Sequence, residues 1–142
     1  MRVPGYDGEV LYIMKKRVLF GVLVCMLIGI TACSKENEKM TYKQITMSEA
    51  QEIFETPGDY IILDVRTVEE YEAGHIPGAI CVPNETIRGA EIDELPDKDQ
   101  LIYVYCRSGN RSKQAADKLV KKGYTNIVEF GGIKDWAGEI EK

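Results

Sequence analysis

Hydrophobic positions fall into three regimes along the chain. Val18 to Ile30, VLFGVLVCMLIGI, is a block of 13 consecutive apolar or glycine residues behind Lys15, Lys16 and Arg17. Residues 34 to about 41 are polar and aperiodic, which predicts a flexible tether. Beyond them, short apolar runs alternate with amphipathic segments. Tyr60-Ile61-Ile62-Leu63 and Leu101-Ile102-Tyr103-Val104-Tyr105 are near-continuous apolar runs, and Ile127-Val128-Glu129-Phe130 is a shorter one. Such runs predict strands buried on both faces of a parallel sheet. Helix starts lie between them: Thr46-Met47-Ser48-Glu49 and Thr67-Val68-Glu69-Glu70 both have capping-box spacing. The clearest helix is expected over Ser112 to Lys122, where Ala115, Ala116, Leu119 and Val120 form one stripe and Gly123 marks the stop. Strands alternating with helices predict an α/β domain, with ligands bound beyond the carboxyl ends of the strands.

The first block is short for a membrane span of ~20 residues and fits the apolar core of a signal peptide behind a positive leader. Residues 1–13, MRVPGYDGEVLYI, contain Pro4, Gly5, Gly8, Asp7 and Glu9, which such a leader does not favour, so Met14 is read as the true start. Ile30-Thr31-Ala32-Cys33 ends the block. Ordinary cleavage wants a small residue where Ile30 stands. An aliphatic residue, two small residues and a cysteine resemble instead the lipobox of bacterial lipoproteins, whose cysteine receives a diacylglyceryl group and becomes the first residue. The resemblance implies a signal peptide over 1–32, a lipid-bearing Cys33 with its tether over 33–41, and a folded domain over 42–142. It further implies a membrane-anchored protein of the bacterial cell envelope, with the domain outside the cytoplasm and periplasmic in a Gram-negative cell. The alternative is an uncleaved N-terminal anchor in which Cys33 is incidental.

Composition narrows the remaining chemistry. A chain of 142 residues with 44% hydrophobic and 29% charged residues suffices for one core-forming domain, and collagen-like or wholly disordered classes are excluded. A formal charge of −5 and a single histidine leave no basic nucleic-acid footprint and no multi-histidine metal site. The four cysteines, Cys25, Cys33, Cys81 and Cys106, form no C-x-x-C pair, which argues against a zinc ribbon or a thioredoxin-type centre.

Cys106 stands where an expected strand ends, and Cys106-Arg107-Ser108-Gly109-Asn110-Arg111-Ser112 leads straight into the strongest expected helix. A loop with small residues before a helix start can turn successive backbone N–H groups toward one point and stabilise an anion there. For a cysteine at that point the anion is its own thiolate, so its acidity and nucleophilicity rise. Arg107 and Arg111 add positive charge suited to an oxyanion. The competing reading is a structural cysteine beneath a basic turn.

CRSGNRS resembles the active-site loop of rhodanese-family sulfurtransferases. Leu63-Asp64-Val65-Arg66, the segment Glu70 to Ala79, and Gly131-Gly132 with Trp136 are similar to the family's other motifs, so the resemblance spans about Tyr42 to Glu139. It implies a five-stranded parallel sheet with helices on both faces, no cofactor, and catalysis through a persulfide on Cys106. The implied reaction moves a sulfane sulfur from thiosulfate or a persulfide donor to cyanide, a thiol or a protein acceptor. Arg107, Ser108, Gly109, Asn110, Arg111 and Ser112 would hold the substrate. Phosphatase or arsenate-reductase chemistry is the alternative on the same fold. Those loops are C-x5-R, whereas Cys106 to Arg111 is C-x4-R, a narrower cradle.

Three further residues are expected to be structural and near the site. His75, within Gly74-His75-Ile76-Pro77-Gly78, is read as fixing a turn. Asp64 and Arg66 are expected to pair with loop backbone or with Glu70. Cys81, in Ile80-Cys81-Val82, is read as a core residue, and in the implied strand order it is not adjacent to Cys106. Trp136 is expected to pack near the site.

Overall fold

A computed structural model describes residues 41–89 and 91–142. The signal segment, Met14, Cys25, Cys33 and nearly all of the tether lie outside the described residues. Within them the elements, numbered in chain order, are β1 (Lys43–Gln44), α1 (Met47–Phe54), β2 (Ile61–Asp64), α2 (Val68–Ala73), β3 (Ala79–Cys81), β4 (Ile102–Cys106), α3 (Asn110–Lys121) and β5 (Ile127–Gly132). A 3-10 turn over Ile133–Asp135 follows. All strand pairs are parallel, in the order β1-β5-β4-β2-β3. The carboxyl ends of β2, β4 and β5 therefore lie together at one end of the sheet.

The apolar runs form the central strands, and their period of two divides the core. Ile102, Val104 and Cys106 face one cluster, completed by Ala115, Ala116, Leu119 and Val120 of α3. Tyr103 and Tyr105 face the other, with Phe130 of β5, and Met47, Ala50 and Phe54 of α1. Phe54 meets Tyr103 and Phe130 edge-on, with ring centroids 5.2 and 5.5 Å apart. Helices thus cover both faces. Leu119 is fully buried, a placement worth about 2 kcal/mol for such a side chain.

Both predicted capping boxes form. Thr46 and Thr67 accept the N–H of Glu49 and Glu70, whose carboxylates accept from the Thr backbone. The strongest helix starts two residues before its expected position, at Asn110 rather than Ser112. Ser112 reads as a start because serine favours caps. Instead Gly109, at φ 94°, is the cap residue, and its carbonyl accepts from Lys113 N.

Two expected placements change. Cys81 is half-buried at the end of edge strand β3, not in the core, and burial pushes its thiol up to about 11. It pairs with Asp64, which pairs with Tyr105, so two strand spacings of ~4.8 Å separate Cys81 from β4, beyond disulfide reach. Trp136 packs beside Phe54 and donates its indole N–H to Glu139 O at 2.9 Å. It lines a groove with Gln51, Ile76 and Pro77 that does not include the Cys106 loop.

Candidate active site

Cys106 is the last residue of β4 and is 1% exposed. Only Arg107, Ser108 and Gly109 separate it from α3, so the chain must reverse within three residues. The positive φ of Gly109 makes this possible and aims its N–H at Cys106 Sγ, 3.1 Å away. Gly132 closes the other side. A Cβ there would lie 2.5 Å from Ser108 Cα, so only glycine admits the loop at this distance. The register between β4 and β5 also shifts here: Val104 pairs with Glu129 and Cys106 with Gly132, placing an extra β5 residue beside the loop.

Burial alone would raise the thiol's pKa. Hydrogen bonding with the Ser112 side chain and with the backbone of Ser112, Ser108 and Gly109 outweighs that, and Cys106 lies below the ordinary cysteine range. Of the loop's backbone donors, the Gly109 N–H at the start of α3 points at the sulfur. Ser112 is fully buried, with Oγ 3.6 Å from Cys106 Sγ, so it shapes the floor of the site and is not an exposed substrate contact. Ser108, Asn110 and Arg107 are exposed at the rim.

The two arginines differ. Arg111, in the first turn of α3, makes a two-pronged ion pair with Glu70, Nη1 to Oε2 at 2.6 Å and Nη2 to Oε1 at 3.0 Å. That pair holds the Glu70 carboxyl at about 2. Arg107 forms no ion pair among the described residues. Of the two arginines expected to hold an oxyanion, Arg107 is exposed and Arg111 is paired with Glu70.

Glu70 is also not the partner of Arg66. Arg66 pairs with Asp64, Nη2 to Oδ2 at 2.6 Å, and donates to Gly74 O at 2.7 Å, tying the end of β2 to the end of α2. His75 stacks on Tyr71 at 3.7 Å, approaches Tyr71 O through Nδ1 at 3.0 Å, and exchanges backbone hydrogen bonds with Glu141. None of these partners belongs to the Cys106 loop.

One buried group was not singled out from the sequence. Glu129 is 2% exposed in β5 and bonds Ser112, Gly131 and Gln44. Its only signal is a charge inside the otherwise apolar run Ile127 to Phe130. Among the described residues, no three His, Cys, Asp or Glu side chains cluster as a metal site.

Comparison with known proteins agrees with this geometry. The sequence profile of the rhodanese-like domain matches residues 46–139. The chain is 39% identical over 75 residues to the thiosulfate sulfurtransferase PspE of Escherichia coli, covering 53% of this chain and 72% of that protein. It is 41% identical over 81 residues to the putative sulfur carrier protein YrkF of Bacillus subtilis, covering 56% of this chain but only 43% of that protein. The crystal structure of a rhodanese-like domain protein from Staphylococcus aureus superposes with a TM-score of 0.61 at 32% identity, covering 70% of this chain and 96% of the other. With strand order, loop and profile in agreement, the chain belongs to the rhodanese-like domain family.

Proposed function

We propose that the chain is a sulfurtransferase that carries sulfur as a persulfide on Cys106. The carrying observation is the Gly109 N–H 3.1 Å from a buried Cys106 Sγ, a donor placed to stabilise a sulfur anion. The Cys106 thiolate attacks the outer sulfur of a sulfane donor such as thiosulfate. The donor's S–S bond breaks and sulfite leaves with the electron pair, forming Cys106–S–S⁻. An acceptor nucleophile, cyanide or a thiolate, then takes the terminal sulfur and returns Cys106 as thiolate. Proton transfer to the donor is not required, so a thiolate and N–H donors suffice.

Exposed Arg107 suits an anionic donor. The name borne by the E. coli relative is consistent with thiosulfate in that place. Phosphate chemistry is less well supported, because the loop arginine such chemistry would need is bound to Glu70. The experiment is steady-state transfer from thiosulfate to cyanide. Ping-pong kinetics are expected, and Cys106→Ser should abolish turnover while the far-UV spectrum is kept. Turnover persisting in Cys106→Ser contradicts the proposal.

A further inference from the structure

The reaction above leaves one buried charge beside the site without a role. Glu129 lies in β5 opposite Val104, next to the register shift that brings Gly132 to Cys106. Its carboxylate accepts three hydrogen bonds: Gln44 Nε2 donates to Oε2 at 3.0 Å, Gly131 N donates to Oε1 at 2.9 Å, and the Ser112 hydroxyl donates to Oε1 at 2.6 Å. Ser112 Oγ also faces Cys106 Sγ at 3.6 Å, Gly109 O at 2.9 Å and Gly131 O at 3.4 Å.

A hydroxyl has one hydrogen and two lone pairs. At 2.6 Å from a carboxylate, that hydrogen makes a charge-assisted bond about twice as strong as a neutral one. While Glu129 is ionised the hydrogen therefore lies toward Glu129. The sulfur then meets a lone pair of Ser112, which a thiol S–H can satisfy and a thiolate cannot.

We propose that Glu129, reached through Ser112, is the proton-holding partner of Cys106 and sets how readily that sulfur becomes a thiolate. In one arrangement the Cys106 S–H donates to Ser112 Oγ, and the Ser112 O–H donates to ionised Glu129. In the other, the thiol proton has passed to Ser112 Oγ as the Ser112 proton has passed to Glu129 Oε1. Cys106 is then a thiolate accepting from the Ser112 hydroxyl, and Glu129 is a carboxylic acid donating to Ser112. Both arrangements hold the same atoms and one negative charge. Glu129 is a positioning residue, since it acts on the sulfur through Ser112.

The surroundings of the pair fit this coupling. Glu129 lines a groove of about 480 Å³ with Gln44, Ser108, Gly109 and Lys113, which gives its proton an exit to solvent. Glu49 and Asp135 border the same groove. Among the described residues no cation pairs with Glu129. On the sulfur's other flank, Arg111 is held by Glu70 and Arg107 is exposed.

The inference rests on the reading of Cys106 as nucleophile, and alkylation tests it without any sulfur donor. The full chain is treated with iodoacetamide across pH, with mass mapping to separate Cys106 from Cys81. Glu129→Gln replaces the carboxylate by a weaker acceptor, so the Ser112 hydrogen turns to the sulfur. Cys106 alkylation below its midpoint should then rise about tenfold, the effect of one added hydrogen bond to an anion. In a Ser112→Ala background the same change should have little effect. Gln44→Ala, at an exposed residue, weakens the hold on the ionised carboxylate and should raise alkylation in the same direction, by about twofold to threefold. That variant decides the matter should Glu129→Gln not fold.

Unchanged or slower alkylation in Glu129→Gln, or in Gln44→Ala if only that variant folds, overturns the proposal. An equal Glu129→Gln effect without the Ser112 hydroxyl overturns it too, since that is the signature of a field acting through space. A chain that alkylates as expected yet transfers no sulfur leaves this link standing and refutes the function proposed above.

Discussion

At Cys106 two effects oppose each other, burial against the thiolate and hydrogen bonds for it, and the bonds prevail. The same competition governs Glu70, where Arg111 outweighs burial and holds the carboxyl at about 2. A carboxyl whose folded pKa is depressed stabilises the fold above its unfolded pKa of ~4.3, and that contribution is lost as pH falls toward the folded value. Acid titration of stability should show it. The unmodified chain should lose stability between about pH 4.5 and 2 more steeply than Glu70→Gln, as measured by denaturant unfolding at each pH. Equal slopes would mean that the ion pair is not held in the folded state. At this scale Cys106 was legible in the sequence because an apolar run ends on it, small residues Ser108 and Gly109 follow, and an amphipathic segment begins within a few residues. The engagement of Arg111 was not, since Glu70 lies 41 residues away and its capping-box position already gave it a local role. Glu129 escaped for the opposite reason, as one charge in a run whose other members set its reading.

Elements were more legible than the contacts between them. Both capping boxes could be read because they are contained within four residues, and the central strands because burial on both faces demands an uninterrupted apolar run. The start of α3 misled because Ser112 is a good cap by type but is claimed by Glu129 and Cys106 from other elements. Gly109 caps instead, without a side-chain bond, and its backbone serves both the helix and the sulfur. Gly109→Ala is therefore expected to act on both. A side chain at φ 94° costs about 1 kcal/mol or more in stability. Displacing the N–H from the sulfur should slow Cys106 alkylation at neutral pH by about tenfold or more. Thermal unfolding and the alkylation rate measure the two effects separately, and normal alkylation in a destabilised variant would show that the Gly109 N–H is not what activates the thiol.

The whole molecule brings the site together by topology. Asp64, Cys106 and Gly132 are the final residues of three parallel strands that are far apart in the chain, and the strand order sets Cys106 between the other two. The α/β class followed from pattern, and the helices on both faces followed from resemblance. The strand order followed from resemblance, because apolar runs specify that strands are buried and not which neighbours they take. That order also keeps Cys81 two strands from Cys106, and the described residues hold two free thiols of opposite character, one raised to about 11 and the other lowered. With a net charge of −5, any attraction of an anion to the site falls to local groups, exposed Arg107 and the Gly109 N–H. The most direct test uses the full chain and thiosulfate without acceptor, followed by peptide mass mapping under non-reducing conditions. The account predicts that the Cys106 peptide becomes one sulfur atom heavier, that the Cys81 peptide is unchanged, and that cyanide removes the added sulfur. An unmodified Cys106, or sulfur added to Cys81 instead, would contradict it.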